Sequence, residues 1–224
     1  MLHYRLHHDP KSSHQQIAAL IRRIGRDPIL DVGAAQGLLG QLLRDSGLTI
    51  DAVEPHPFWA EQARPLYRQV YAQPIEAAEL PEATYRVVVC ADVLEHTVDP
   101  VAVLRRLRQV ATPDALFLVS LPNVAHLAVR LMLLFGYFPR MERGILDRTH
   151  LHFYTLDTAR ALLAEAGLEV VRARPTGVPL DELWRGGEQH PLFRLLMRLQ
   201  HLALLLAPRL FAFQWVLVAR APHA

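Results

Sequence analysis

The chain has 224 residues, of which 51% are hydrophobic and 21% charged, and its formal net charge is +2. This length and apolar content suit one domain with a substantial core that needs no cross-links. The small net charge and the scattered arginines argue against nucleic acid as the partner. The single cysteine, Cys90, excludes an intrachain disulfide, and the polar N-terminus lacks the pattern of a secretory signal. We therefore expect one cytoplasmic domain.

Short runs of Val, Ile and Leu alternate with helical patterns through the first half of the chain. The predicted strands cover residues 29–32, 48–53, a short segment near Val70, 85–91, 115–121, 168–173 and 213–219. This alternation is typical of parallel strands joined by crossover helices. The sequence therefore predicts an α/β sheet.

The predicted helices begin and end at recognisable residues. Ser12 and Gln15 have the spacing of a capping box at the start of the first helix. Asp99 and Thr155 are predicted to cap two later helices, and Pro65 should break the helix that begins near Pro57. Residues 122–154 do not follow the simple alternation and are predicted to form an inserted lid.

A glycine-containing turn follows the first predicted strand, in the sequence Ile-Leu-Asp-Val-Gly-Ala-Ala-Gln-Gly at 29–37. Gly33 and Gly37 permit a tight turn in which the backbone approaches a ligand at a helix N-terminus. Ala35 replaces the middle glycine of a dinucleotide-binding turn, so NAD is disfavoured. Glu54 ends the second strand, where it can accept hydrogen bonds from both hydroxyls of a ribose. The residues predict a nucleoside site.

The same residues resemble the first motif of the class I S-adenosylmethionine-dependent methyltransferases, which reads approximately D-x-G-x-G-x-G and is followed by an acidic residue at the end of strand two. Asp31, Gly33, Gly37 and Glu54 match this motif, whereas Ala35 replaces its middle glycine.

A second stretch, residues 85–96, resembles the family's fourth strand and the Leu-Glu-His that follows it. Arg86 replaces the usual aspartate, and Gln73 and Pro74 stand where many relatives have Gly-Asp. The motifs together span roughly residues 28–122. The resemblance implies a Rossmann-like, doubly wound fold with a mostly parallel seven-stranded sheet, helices on both faces and a helical lid insertion.

The resemblance also implies an enzyme that binds S-adenosylmethionine. The implied cofactor contacts are Asp31, Gly33, Ala35, Gly37, Glu54, Ile75 and Asp92, with Ile75 assigned to the adenine by its place after strand three. We predict one methyltransferase domain over residues 1–224, with a cofactor-binding core at 12–121, a lid and acceptor insertion at 122–154, and the rest of the sheet at 155–224.

Catalysis of methyl transfer to a hydroxyl requires alignment of the reacting atoms and removal of a proton. His96 and His150 are the predicted bases, because imidazole titrates near neutrality and both follow the expected cofactor edge of the sheet. In quinone-pathway O-methyltransferases, which this part of the chain also resembles, an acid-x-x-Glu-His cluster is implied to bind magnesium. Asp92, Glu95 and His96 occupy those positions. Many relatives keep Leu-Glu-His without metal, so the metal requirement stays open.

Two further groups of histidines carry weaker signals. His126 and His152 are reserve candidates for the base. His3, His7 and His8 near the N-terminus are interpreted as solvated residues rather than as a metal site.

The sequence motifs leave three hypotheses for the function. The segment 144–154 is similar to one in bacterial methyltransferases associated with glycosyltransferases, so the leading hypothesis is O-methylation of a glycan, a lipid-linked sugar or another small hydroxylated acceptor. The Leu-Glu-His motif equally permits a quinone precursor or an aromatic metabolite. The altered motif positions leave a non-catalytic cofactor-binding scaffold as a third hypothesis.

The helix predicted near the C-terminus, at 191–207, is apolar apart from a narrow stripe formed by Arg194, Arg198 and His201. It is too short and too charged to span a bilayer. Burial within the domain is the favoured interpretation, and a homodimer interface or peripheral contact with the inner face of the membrane are the alternatives. We also expect this helix and residues 127–138 to cover the acceptor site.

Overall fold

The computed structural model describes residues 9–184 and 189–222, so the N-terminal histidines His3, His7 and His8 lie outside the described residues. The strands are Ile29–Val32 (β1), Ile50–Val53 (β2), Gln69–Tyr71 (β3), Tyr85–Ala91 (β4), Ala111–Pro122 (β5), Glu169–Pro175 (β6) and Gln214–Arg220 (β7). They form one seven-stranded sheet in the order β3-β2-β1-β4-β5-β7-β6. Strands β1 to β5 pair in parallel, and β7 runs antiparallel to β5 and β6. This architecture confirms the predicted fold class.

Helices pack on both faces of the sheet. Their bounds are Ser13–Ile24 (α1), Leu38–Leu43 (α2), Pro57–Ala63 (α3), Pro100–Val110 (α4), Leu127–Leu134 (α5), Leu156–Glu165 (α6), Leu180–Leu183 (α7), Pro191–Leu206 (α8) and Pro208–Phe211 (α9). One hydrophobic cluster contains Leu104 of α4 and Leu163 of α6, and another contains Ile17 of α1 and Leu39 of α2. All residues of β1 are buried, as expected for a parallel strand covered on both sides.

Two of the three predicted caps are present. Asp99 accepts a hydrogen bond from the amide of Ala102 at 2.9 Å, and Thr155 begins α6 in a reciprocal capping box. The capping box predicted at Ser12 is wrong, because the Ser12 side chain makes no capping hydrogen bond. The turn before α1 is closed instead by Asp9, which accepts from the amides of Lys11 and Ser12.

One strand boundary differs from the prediction, and one predicted helix interruption is confirmed. Strand β5 begins at Ala111, earlier than expected, because Ala111 already pairs with Tyr85 before the register shifts to Val87 with Leu116. Helix α3 ends at Ala63 and a 3-10 turn continues through Arg64–Leu66. Pro65 lies in that turn, so the predicted interruption at Pro65 is confirmed.

The predicted insertion contains α5 and an irregular segment that returns to the sheet. Val129 of α5 packs with Ile145 and Leu146 of that segment. The amides of Leu151 and His152 donate to the carbonyl oxygen of Glu95 at 2.8 and 3.2 Å. The insertion is therefore tied directly to the loop that follows β4.

Helix α8 is largely exposed, so the expectation of its burial in the domain is wrong. Only Phe193 and Leu204 of this helix are buried. Its exposed leucines are Leu192, Leu195, Leu196, Leu199, Leu202, Leu205 and Leu206. The helix follows the edge strand β6 and is held by Gln200, whose side chain exchanges two hydrogen bonds with the backbone of Val178 at 3.0 and 3.2 Å. No helix within the described residues is long and apolar enough to cross a membrane.

The exposure of α8 leads to a stability prediction. Leu199 is 52% exposed and Phe193 is 6% exposed. Leu199→Glu should change the free energy of unfolding by no more than about 0.5 kcal/mol. Phe193→Ala should lower it by about 3 kcal/mol, because the substitution leaves a cavity. Urea denaturation of both variants provides the measurement, and a comparable loss in both would mean that the leucine face is covered in solution.

Candidate active site

The parallel pairing of β1 with β2 and β4 brings the loops after these strands to one edge of the sheet. The crossover helices after β1 and β4 pack in different core clusters, on opposite faces of the sheet. The edge between the two loops is the position where open α/β sheets bind their ligands. Gly33, Ala35 and Gly37 follow β1, Glu54 follows β2, and Asp92 and His96 follow β4. Asp31 lies in β1 itself, Ile75 follows β3, and His150 lies in the insertion after β5.

The turn after β1 needs glycine at both predicted positions. Gly33 and Gly37 have φ values of +70° and +87°, in the left-handed region. A Cβ atom on Gly33 would lie 2.5 Å from the Val93 side chain, and one on Gly37 would lie 2.6 Å from the Leu66 side chain. The turn is therefore fixed by backbone conformation and by close packing.

The Glu54 side chain stabilises this turn through hydrogen bonds. One carboxylate oxygen accepts from the amide of Ala35 at 2.7 Å and the other from the amide of His56 at 2.8 Å. Burial raises the pKa of Glu54, and the two amides partly oppose that shift. Ala35 has a φ of +47°, a conformation that costs a residue with a Cβ about 1 kcal/mol. The glycine of the family motif suits this conformation, and in this chain the bond to Glu54 helps to hold alanine in it.

Asp31 is the most perturbed carboxylate of the turn. The hydroxyl of Tyr67 donates to Asp31 at 2.6 Å and accepts from the amide of Gly40 at 3.1 Å. Burial raises the pKa of Asp31 to about 7, with a smaller contribution from the charge of Glu54. Tyr67 was missed by sequence reasoning, since it lies just before the poorly marked strand β3 and matches no motif.

Asp92 follows β4 in a left-handed conformation, with φ +56°. Its two carboxylate oxygens accept from the hydroxyls of Ser120 at 2.6 Å and Ser13 at 3.3 Å. Both serines were missed by sequence reasoning. Ile75 is 6% exposed and packs in the core cluster that includes Val53, so its proposed contact with an adenine stays a prediction.

Glu95 lies in the 3-10 turn Leu94–His96 and is completely buried. Neither of its carboxylate oxygens reaches a hydrogen-bond donor of another residue in the described part of the chain. Burial, reinforced by the nearby charge of Asp92, raises its pKa well above the ordinary value. A buried carboxylate without a donor is costly, and such groups are often found at functional sites.

His96 and His150 come together across the insertion, with ring centroids 4.7 Å apart. The hydrogen bonds of the two rings identify which nitrogen of each ring carries the proton. His150 Nδ1 lies 3.1 Å from the carbonyl oxygen of Ile145, which can only accept. The Thr149 hydroxyl donates to Asp147 at 2.7 Å, so at 3.1 Å it accepts from His96 Nδ1. Each neutral ring is therefore protonated on Nδ1 and leaves Nε2 as an acceptor.

The groups around His150 favour its neutral form. Burial, followed by the nearby His96, lowers the pKa of His150. The ring of Phe153 lies 6.2 Å from His150 and 5.3 Å from the ring of Phe138. Arg140 donates to the carbonyl oxygen of His150 at 3.0 Å and lies over the Phe153 ring. The insertion thus presents an imidazole beside aromatic rings.

The reserve histidine His152 lies in the same segment but has a different contact. Its Nε2 is 3.1 Å from the carbonyl oxygen of Thr97, so its imidazole is engaged with the backbone. His126 accepts from the amide of Ala128 at the start of α5. Neither residue belongs to the group formed by Glu95, His96 and His150.

Comparison with known proteins identifies the family. A family model described as a methyltransferase domain matches residues 3–173. The chain belongs to this methyltransferase domain family. The ubiquinone biosynthesis O-methyltransferase of Leptothrix cholodnii is 32% identical over 105 residues, which cover 42% of this chain and 44% of that protein. The enzyme of the same name from Pseudomonas entomophila is 31% identical over 104 residues, with the same coverage. The chain thus matches less than half the length of these curated relatives.

Solved structures share the whole fold. A SAM-dependent methyltransferase from Archaeoglobus fulgidus has a TM-score of 0.61 and 16% identity, with 92% of this chain and 94% of that chain covered. The magnesium protoporphyrin IX methyltransferase from Synechocystis, solved with bound SAH, has a TM-score of 0.63 and 16% identity, with 93% and 82% covered. These comparisons confirm the family and the fold predicted from the sequence motifs.

The geometry of Glu54 leads to a binding prediction. If Glu54 accepts from the ribose as the sequence motif implies, Glu54→Gln should weaken binding of S-adenosylmethionine by about tenfold or more, because the charge-assisted hydrogen bonds to the ribose and to the turn are lost. The matched control is Glu61→Gln, which alters an exposed carboxylate on α3. Isothermal titration calorimetry measures both affinities. Unchanged affinity in Glu54→Gln would contradict the assigned site.

The raised pKa of Asp31 leads to a pH prediction. The folded pKa is about 7 and the ordinary value is 3.8. As pH rises between these values, the unfolded chain releases its proton first, so folding loses stability until pH passes about 7. Relative to Asp31→Asn, the wild type should lose on the order of 4 kcal/mol between pH 4 and pH 8. Urea unfolding at both pH values checks this, and a pH-independent difference would exclude the effect.

Proposed function

We propose that the chain is an S-adenosylmethionine-dependent O-methyltransferase that acts on a small hydroxylated molecule with an aromatic or other apolar portion. The observation that carries the proposal is the pair of acceptor imidazoles, His96 and His150, beside Phe153 at the sheet edge that also carries Glu54. The loops at one edge of the sheet thereby bring together the glycine-containing turn, a proposed base and an aromatic ring.

The turn from Asp31 to Gly37 and Glu54 form the proposed cofactor site, with Ile75 near the adenine and Asp92 at the end of β4. The two amide hydrogen bonds to Glu54 use one lone pair on each carboxylate oxygen. Each oxygen keeps a further lone pair, so Glu54 can brace the turn and still accept from ribose hydroxyls. Ala35 stands where the family motif has glycine. This difference is compatible with the role of Glu54, because the Ala35 amide still donates to the Glu54 carboxylate.

The proposed reaction forms an oxygen–methyl bond as the sulfur–methyl bond of the cofactor breaks, and releases S-adenosylhomocysteine. The proton of the acceptor hydroxyl passes to an imidazole Nε2. His150 suits this role because its lowered pKa keeps the ring neutral near pH 7, with Nε2 free to accept. Positioning of the acceptor by the insertion supplies the remaining catalysis.

Two observations favour an aromatic or lipid-bearing acceptor over a free sugar. The curated relatives described above are named ubiquinone biosynthesis O-methyltransferases. In addition, the ring of Phe153, which packs against Phe138, lies beside His150. The exposed leucines of α8 add apolar surface that suits a lipid portion, a membrane surface or a second copy of the chain. The glycan acceptor, the leading hypothesis from the sequence, has no counterpart among the relatives described above.

The acceptor class can be tested by measuring S-adenosylhomocysteine release with a catechol, a long-chain phenol, free sugars and lipid-linked glycans. We expect turnover with the phenolic compounds. With the best acceptor, His150→Ala or His96→Ala should lower kcat by about 100-fold, whereas His152→Ala should stay near wild type. Turnover with sugars alone would exclude the aromatic acceptor, and full activity in both alanine variants would exclude the histidines as bases.

A further inference from the structure

A tyrosine outside the sequence motifs links the two sides of the turn that follows β1. Tyr67 lies between the 3-10 turn Arg64–Leu66 and β3, and it is 8% exposed. Its hydroxyl donates to an Asp31 carboxylate oxygen at 2.6 Å and accepts from the Gly40 amide at 3.1 Å. One hydroxyl group therefore connects the end of β1 to the first turn of α2.

The Tyr67 hydroxyl takes the place of a helix cap. Helix α2 begins after Gly37, which has no side chain to accept from the free amides of the first turn. The Gly40 amide lies at the third position of the helix and is one of these donors, and Tyr67 accepts from it. The first turn of α2 is thus stabilised by a side chain from a loop distant in the sequence.

Gly40 permits the close approach of the Tyr67 ring. A Cβ atom on Gly40 would lie 2.8 Å from Cζ of Tyr67, and one on Gly37 would lie 3.3 Å from Cε2 of the same ring. The φ angle of Gly40 is not in the left-handed region, so its backbone conformation does not require glycine. Glycine within a helix is destabilising relative to alanine. The reason for glycine at this position is therefore the space that the tyrosine ring fills.

The same hydroxyl stabilises the charged form of Asp31. Burial raises the pKa of Asp31 to about 7, the hydrogen bond from Tyr67 opposes this shift, and the charge of Glu54 adds to it. Burial also raises the pKa of Tyr67 well above its ordinary value, so the hydroxyl keeps its proton and remains a donor. Asp31 is therefore partly ionised near neutral pH, and Tyr67 favours the ionised form.

The other titratable groups that face Asp31 do not stabilise its charge. Glu54 at the end of β2 is itself acidic. Cys90 of β4 is a buried thiol, and burial followed by the charge of Asp31 raises its pKa. No basic side chain in the described segments forms an ion pair with Asp31. The ionisation of Asp31 thus depends on the hydrogen bond from Tyr67.

We propose that Tyr67 is a positioning residue for S-adenosylmethionine, because its hydroxyl holds the first turn of α2 and the carboxylate of Asp31 in the arrangement that binds the cofactor. The inference rests on the cofactor site of the proposed function, and not on the acceptor or on either histidine. S-adenosylmethionine carries a sulfonium and an ammonium group, which are both positive. Ionised Asp31 therefore attracts the cofactor more strongly than the neutral acid does.

Removal of the hydroxyl should make cofactor binding more sensitive to pH. Tyr67→Phe keeps the ring and removes the donor, so Asp31 stays protonated to a higher pH. We expect the affinity for S-adenosylmethionine to fall by about fivefold or more at pH 7, and the difference from wild type to narrow as the pH rises to 8.5. Isothermal titration calorimetry between pH 6 and pH 8.5 measures both affinities. The matched control is Tyr137→Phe, which removes a hydroxyl from a tyrosine that is 69% exposed and should bind as wild type does.

Two further variants distinguish positioning from a general loss of structure. Gly40→Ala places a methyl group against the Tyr67 ring and should cause the same pH-dependent loss, although alanine favours a helix more than glycine does. Asp31→Asn removes the titrating group, so the addition of Tyr67→Phe to it should cause no further pH-dependent change. Thermal unfolding of each variant checks that the protein is folded.

The outcomes separate this inference from the proposed function. Wild-type protein that binds no S-adenosylmethionine would contradict the proposed cofactor site and this inference with it. If the wild type binds the cofactor, equal affinity in Tyr67→Phe at every pH would overturn the positioning role of Tyr67 alone. A loss of equal size at pH 6 and pH 8.5 would overturn it as well. A loss that narrows with rising pH in both Tyr67→Phe and Gly40→Ala would support it.

Discussion

The parallel pairing of β1 with both β2 and β4 is the constraint on which the rest of the structure depends. It aligns the carboxyl ends of the three strands, so the segments that follow them meet at one edge of the sheet. The Gly33 turn, Glu54 and Asp92 are far apart in sequence but share this edge. The insertion is held to the same edge, because the backbone of Glu95 accepts from Leu151 and His152.

Buried acidic groups at this edge are stabilised to different degrees. Glu54 accepts two backbone amides and Asp31 accepts the Tyr67 hydroxyl, so both have donors that offset part of the cost of burial. Glu95 has none from another residue in the described segments, and burial raises its pKa well above the ordinary value. The contrast distinguishes the Gly33 turn from the loop that follows β4. The Glu54 carboxylate is held in place by backbone amides, whereas the Glu95 carboxylate has unmatched acceptor oxygens. Unmatched acceptors of this kind are suited to binding a proton or a cation.

The apolar surface of the C-terminal half has a topological origin. Strand β7 inserts between β5 and β6, so α8 follows an edge strand and has little sheet left to cover. Its leucines consequently face outward, even though their helical pattern is that of a buried helix. Helix α5 ends in exposed apolar residues as well, Leu134 and the following Phe135. Together these residues give the C-terminal half an exposed apolar surface.

The sequence by itself determined the strands, the turn at Gly33 and Gly37, and the family, because these depend on local periodicity, on left-handed backbone conformations and on short motifs. It also placed Asp99 and Thr155 as helix caps, since capping is decided within a few residues. The tertiary structure alone decided which side chains meet. The Tyr67 hydroxyl donates to Asp31, the Ser120 hydroxyl donates to Asp92, and His150 lies close to Glu95 and His96. These contacts depend on how loops distant in sequence pack at the sheet edge. Local pattern likewise could not tell whether α8 is covered, since an amphipathic helix shows which face is apolar but not what lies against it.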